Sequence, residues 1–317
     1  MQFLIDHCGG LSVDDFTRHT LKHLQEKLER EGTTGRPFAR PLINRYIGFI
    51  KTAFLEAEES GLCSESIVDS LARFRPLKRG KTTAREYESV DHVETEVVKA
   101  TLPFMSETIR AMVQVHLLCT MRSQDVINLR TCDIEMNDPK YPDVWWYAPH
   151  DHKTKGRGKK LVKVIPPEAQ EILRPFLDAK KGNPTAFIFS PHDVMKKYRE
   201  NLRENRKSKP TPSQIERGKS AKKRKPKHPL GEQYTTGSYR TAVQRAQDRA
   251  RKAGIDIPHW FPHQIRHESV SEINAQFGLE VARDAAGHAH SKVTKGYAHK
   301  KLDNMAKVAL ERKRIFS

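Results

Sequence analysis

Cysteine is scarce and scattered: the four residues at 8, 63, 119 and 132 form no C-x-x-C pair, which excludes a zinc module and a disulfide framework. Isolated thiols of this kind fit a reducing cytoplasm. No run of about 18 apolar residues occurs, and positions 1–12 lack the order of a signal peptide, so a membrane partner is not expected. Also missing are a carboxylate cluster suited to Mg²⁺ and the aromatic motif of a common RNA-binding module. Acidic residues are themselves in deficit, with 39 Asp and Glu against 57 Lys and Arg and a net charge of +18. Such an imbalance selects a polyanionic partner, and with membranes set aside the expected one is nucleic acid.

What is present suffices for two domains. Hydrophobic residues make up 37% of the 317 and charged residues 30%, enough apolar mass for real cores beneath a polar exterior. Ser12 with Asp15 has a capping-box spacing, and Phe16, Leu21, Leu24 and Leu28 follow at helical intervals. A second helical series runs through Leu42, Ile43, Tyr46, Ile47, Ile50, Phe54 and Leu55 to Gly61. Between Arg75 and Arg85 five Lys or Arg residues mix with Pro76 and Gly80, and the domain boundary is placed there. The expected domains are thus a helical one over 1–82 and a second over 83–317, with a basic insertion at about 191–235.

In the second part, Ser106–Cys119 predicts a helix with Ile109, Met112, Val113 and Leu117 inward, and Ser123 predicts the cap of a short helix to Leu129. Arg122 falls in the bend between them. Val144–Tyr147 and Leu161–Ile165 read as a hairpin around a basic tip that holds Lys153, Lys155 and Arg157. Pro167–Leu177 reads as a helix and Ala186–Phe189 as a short strand. From Lys196 to Lys227 there are 14 Lys or Arg against 3 Glu and few apolar residues, so the segment builds no core. It is either a solvated loop or an arm that contacts phosphates, with Lys222, Lys223 and Arg224 as its densest charge. Ser238–Ala253 is a basic helix stopped by Gly254, and three further helices are expected after His259: one opened by Pro262 and closed by Gly278, a short one ending near Gly287, and one capped by Ser291 that carries Tyr297.

His263 and Arg266, three residues apart, share one face in the first turn of a helix, where free N–H groups and the helix dipole already favour an anion. Alone this pair is weak, since solvated helix faces in a His- and Arg-rich chain produce it by chance. Gly287-His288 follows 21 residues after Arg266, and Tyr297 follows nine after His288. A helical tyrosine is more often packed than reactive. The order is what matters: Arg122, basic hairpin, H-x-x-R, Gly-His, Tyr.

That order resembles the catalytic signature of the tyrosine recombinases, the phage integrase family, over about residues 90–300. The resemblance implies a mostly α fold with a small antiparallel sheet, made of a helical core-binding domain and a tyrosine-recombinase catalytic domain. It implies Tyr297 as nucleophile, Arg122, Arg266 and His288 on the phosphate, His263 as proton acceptor, and Asp125 as a bracing acid. Lys153 matches the hairpin lysine that protonates the leaving oxygen, with Lys155 as the alternative, because hairpin register is not fixed by sequence. Tyr147, Tyr234 and Tyr239 are the other tyrosines considered, with no motif behind them. Two departures concern packing: Ala285-Ala286 stands where bulkier apolar residues are usual, and Glu268 where a small hydroxyl residue is common.

The implied activity is site-specific cutting and rejoining of DNA through a 3′-phosphotyrosine, in integration or excision of a mobile element. Because the phosphotyrosine conserves the energy of the broken bond and guanidiniums neutralise charge, no metal, ATP or other cofactor is expected. The expected partner is double-stranded DNA, bound by a homotetramer on two sites from a free monomer or dimer, in the cytoplasm at the nucleoid. Lys78, Arg79 and Lys81 of the linker join Lys155, Arg157 and the insertion as expected DNA contacts. The alternatives are a type IB-like topoisomerase, recognised by relaxation without sequence preference, and an inactive DNA-binding regulator, recognised by the lack of a covalent adduct.

Overall fold

A computed structural model describes residues 2–88, 91–150, 161–206, 208–209, 211–214, 216, 230–287, 296–312 and 314–316. The chain divides into two compact units, Met1–Ser89 and Val90–Ser317.

Unit 1 consists of α1 (Gln2–Cys8), α2 (Arg18–Arg30), α3 (Arg40–Glu59) and α4 (Glu65–Ala72). The expected apolar faces meet: Leu21, Leu24 and Leu28 of α2 pack with Ile43, Ile47, Ile50 and Phe54 of α3, Phe16 before α2 and Leu71 of α4. The cap is not Ser12, which precedes a single 3₁₀ turn and makes no capping bond. Thr17 caps α2 instead, in a reciprocal pair with Thr20, because the helix begins only where the buried Leu21 face begins. After α2 the chain reverses at Gly32, whose φ of +62° and 2.0 Å approach of an added Cβ to the Arg36 carbonyl leave room for no side chain. The basic stretch stays with this unit. Asn44 brackets Leu77 from both sides of the peptide, Arg40 pairs with Glu86, and the Thr82 hydroxyl donates to Glu29, while Lys78, Arg79 and Lys81 remain exposed.

Unit 2 runs α5 (Thr95–Thr101), α6 (Glu107–Leu118), α7 (Ser123–Ile127), β1 (Ile134–Glu135), β2 (Trp145–Tyr147), β3 (Lys163–Ile165), α8 (Pro167–Asp178), α9 (Pro191–Glu204), α10 (Thr236–Lys252), α11 (Pro262–Phe277), α12 (Leu279–Ala286) and α13 (Gly296–Glu311). The strands form one antiparallel sheet in the order β1-β2-β3, with Trp145 opposite Ile165 and Tyr147 opposite Lys163. Both faces are covered. Trp145, Tyr147 and Ile165 join the main core with Ile109, Met112, Leu117 and Leu173, while Val144, Trp146 and Val164 pack against Met305 and Ala306 of α13. The mostly helical fold with a small sheet is as the sequence led one to expect.

Several local expectations change. Ser123 is the first helical residue of α7 and Arg122 its cap. Ala186–Phe189 makes only an isolated bridge, Phe187 to Arg130, too short a pairing for a strand. The start of the basic insertion is helical: Ser190 caps α9 and accepts from the His192 N–H at 3.3 Å, with Pro191 in the first turn, although α9 buries no residue. In α13, Met305 and Val308 are buried within their own unit and Leu310 is exposed.

Candidate active site

The site is organised around the turn from α6 to α7. Ser106 leads into α6, whose apolar face is fully covered, and the chain then bends at Cys119–Met121, all three buried. Thr120 has φ of +48°, a left-handed conformation that a β-branched residue adopts only at a cost of about 1–3 kcal/mol. The conformation directs its carbonyl inward. The Thr120 hydroxyl is held by the Cys119 carbonyl at 2.7 Å and the Ala285 carbonyl at 2.9 Å. The end of α6 is pinned from outside as well. Ser269 of α11 donates to the Leu117 carbonyl at 2.7 Å, and Arg312 bonds the Leu117 and Leu118 carbonyls while pairing with Glu272.

Arg122 follows this turn, half-buried. Its N–H donates to the Asp125 carboxylate at 2.9 Å, and its carbonyl accepts from the Asp125 N–H at 2.9 Å. Asp125 therefore braces the backbone of Arg122 and fixes where its side chain begins.

Arg266 comes from the opposite side, on α11. Pro262 opens that helix, and Gln264 caps it by accepting the Phe261 N–H at 3.0 Å while donating to the Asp91 carbonyl at 2.9 Å. Glu268 takes the Thr95 hydroxyl at 3.1 Å and stands 3.8 Å from His92, which explains the acid at a position where a hydroxyl residue was expected. With its first turns so fixed, α11 sends Arg266 inward until it is 5% exposed. The guanidinium donates to the Thr120 carbonyl and, at 2.6 Å, to the Ala286 carbonyl at the end of α12. Burial, then the charge of Arg122, lower it to about 10, with Asp125 acting in the opposite sense. It remains a cation at neutral pH.

His263, on the same helix, has its ring at the surface and packs edge-on to His267 at 4.7 Å between centroids. Partial burial, then His267, Arg266 and Arg122, lower its pKa, so at neutral pH it is an imidazole able to accept a proton. Behind the site His116 is fully buried, and burial followed by the Arg266 charge lowers it to about 3.

The structure thus brings Arg122, Asp125, His263 and Arg266 into one electrostatic neighbourhood. Lys153, Lys155, Arg157, Lys222, Lys223, Arg224 and His288 lie outside the described residues. Tyr297 is the second residue of α13, and its side chain is likewise outside them. Gly287, before His288, ends α12 in the left-handed region at φ of +70°. The other tyrosines considered are poor nucleophiles: burial pushes the phenols of Tyr147 and Tyr239 up, and that of Tyr234 up to about 12.

One charged residue was missed by sequence reasoning. Lys163 of β3 is 0% exposed and donates to the carbonyls of Ala285 and Ala286 at 2.7 Å each and of Thr120 at 3.2 Å. Its signal was its place in the strand run Leu161–Ile165, two residues from Ile165 and therefore on the same inward face.

Among the described residues no group of three or more His, Cys, Asp or Glu side chains is placed to hold a metal ion, and no helix is long and apolar enough to cross a membrane. No curated protein matches this chain in sequence. In fold it is similar to the lambda integrase dimer bound to a COC′ core site, with a TM-score of 0.56 at 13% identity over 93% of this chain and 88% of that one. It is equally similar to the integrase of transposon Tn1549 in complex with circular intermediate DNA, with a TM-score of 0.56 at 13% identity over 95% of this chain and 89% of that one. The phage integrase family matches residues 92–303, more than half of the length and the whole span from α5 into α13, so the chain belongs to that family of DNA strand-transferring enzymes.

Proposed function

We propose that this chain is a site-specific recombinase that cuts and rejoins double-stranded DNA through a 3′-phosphotyrosine at Tyr297, in the integration or excision of a mobile element. The observation that supports the reading is that Arg266 donates to the carbonyl of Thr120, two residues before Arg122, so that one turn gathers two guanidiniums. Like charges repel, so a fold that holds them together is built for an anion that enters between them. For a chain of net charge +18 that binds DNA, that anion is a phosphodiester of the backbone.

In the reaction the Tyr297 phenol oxygen bonds to phosphorus as the bond to the 5′ oxygen breaks. Charge that grows on the non-bridging oxygens is met by Arg122 and Arg266 with fixed forks of N–H donors, and by His288. The phenol proton passes to His263, whose lowered pKa keeps it neutral and receptive. Lys153, or Lys155 beside it, gives a proton to the departing 5′ oxygen. Asp125 holds Arg122 and does not react. Rejoining runs the steps backwards, with a 5′ hydroxyl attacking the phosphotyrosine.

The helical first unit, with Lys78, Arg79 and Lys81 exposed, supplies further phosphate contacts, as do Arg157 and the insertion around Lys222, Lys223 and Arg224. Four protomers on two DNA sites carry out the exchange, at the nucleoid in the cytoplasm. The test uses a duplex nicked just downstream of the cleaved phosphate, so that the short piece bearing the new 5′ hydroxyl is lost on cleavage. Wild type should form a protein–DNA adduct that survives denaturant, and Tyr297→Phe should form none. An adduct in Tyr297→Phe would move the nucleophile elsewhere; relaxation of any supercoiled plasmid without site preference would select a topoisomerase.

A further inference from the structure

Lys163 stands opposite Tyr147 in the sheet, on the face that packs into the main core, and it is fully buried. Taking an ammonium out of water is costly, and an apolar side chain of similar length commonly fills such a space without loss of stability. A strand lysine in this position therefore does something that packing does not require. Its partners are informative: Ala285 and Ala286 are the last two residues of α12, where unpaired carbonyls and the negative end of the helix dipole favour a cation. The third, Thr120, is the strained residue two positions before Arg122.

Two of these three carbonyls, Thr120 and Ala286, are also the ones that Arg266 uses. Lysine and arginine thus share one backbone frame, contributed by the α6–α7 turn and the end of α12. Immediately beyond that frame, the Lys163 ammonium lies 3.5 Å from where a Cβ on Gly287 would stand. Each carbonyl has a second donor: Arg266 reaches Thr120 and Ala286, and the Thr120 hydroxyl reaches Ala285. Removing the ammonium therefore leaves none of the three without a hydrogen bond. The fold should tolerate its loss.

We propose that Lys163 is a positioning residue for strand transfer: its ammonium sets the carbonyl frame that aims Arg266 and holds the end of α12 at Gly287. The assignment rests on the strand-transfer reading. Lys163 is distinct from the proton donor sought in the hairpin, because it is fully buried with its N–H groups on carbonyls.

The test is a double-mutant cycle on the full chain, using the nicked duplex and single-turnover adduct formation. Lys163→Met should melt no lower than wild type, bind the duplex within about threefold of wild type, and form the adduct on the order of 10²-fold more slowly, the scale of loss for a misaimed group. In an Arg266→Lys background the same substitution should slow the reaction by less than about threefold, because the guanidinium it aims is already gone. Equal slowing in both backgrounds would overturn the proposal, as would an unchanged rate in Lys163→Met. Failure of both Lys163→Met and Lys163→Leu to fold would make the lysine a folding requirement and overturn it too. If wild type forms no adduct, the strand-transfer reading falls first; an adduct in wild type with no Lys163 effect removes this proposal alone.

Discussion

The two units bury different things. In unit 1 the buried side chains are almost all apolar, from Phe16 to Leu71, with Gln25 the polar exception among the described residues. Unit 2 buries a comparable apolar core and, inside it, Asp125, Lys163 and Arg266 together with His116, Thr120 and Ser269. A helical bundle needs no buried charge to hold together, and unit 1 shows how such a unit is made. Buried cations in unit 2 sit instead beside the turn that carries Arg122, with a strained Thr120 among them. Desolvated charge and a left-handed threonine both work against stability, and unit 2 concentrates that cost beside Arg122, where the strand-transfer proposal puts the phosphate.

Mutations should separate the two kinds of interior. The largest effect on stability is expected in unit 1, where Leu24→Ala opens a cavity at a side chain of 0% exposure and should cost about 2–5 kcal/mol of unfolding free energy. Denaturant melts of the full chain check this; a loss below half a kcal/mol would mean that the α2–α3 interface is loose.

Next in size, Arg266→Lys keeps the charge but loses the fork, and single-turnover adduct formation should fall by about 10²-fold, roughly 2.7 kcal/mol of barrier. If its melting point falls but its cleavage rate does not, Arg266 belongs with the structural residues and the contrast between the units fails.

The smallest effect, per unit of pH, is read in the acid limb of stability. His116 is held at about 3 when folded and returns to about 6.5 when unfolded, so the unfolded chain binds the extra proton between these values. Its contribution to stability is complete above about 6.5 and is lost as pH falls toward 3, at no more than about 1.4 kcal/mol per unit. His116→Leu should flatten this limb of the stability curve, whereas an unchanged curve would place the acid sensitivity elsewhere.

The contrast also explains what the sequence could reveal. Leu21, Leu24, Ile43 and Ile47 announce themselves by helical period, and Arg122, His263 and Arg266 by motif order, because both signals are local or fixed in spacing. The α9 helix was hidden, since period detects buried faces and α9 buries none; its start is decided by Ser190 and Pro191. Ser12 mimicked a cap because the spacing of Ser12 and Asp15 fits a capping box, while the real start of α2 is set by where Leu21 must be buried. In sequence Lys163 is indistinguishable from any other strand residue: its partners at Thr120, Ala285 and Ala286 are 43 and 122 or more positions away, and main-chain carbonyls leave no mark in sequence. The small Ala285-Ala286 pair, by contrast, was visible as a departure, and the structure places both residues at the end of α12 against that ammonium.

The covalent bond between Tyr297 and DNA can be read directly. DNA trapped on wild-type protein from a nicked duplex is digested with nuclease and protease, and the peptide that retains a nucleotide is sequenced by mass spectrometry. The expected product is a single peptide with a 3′-phosphate ester on Tyr297; a nucleotide on any other side chain, or none on any peptide, would contradict the mechanism.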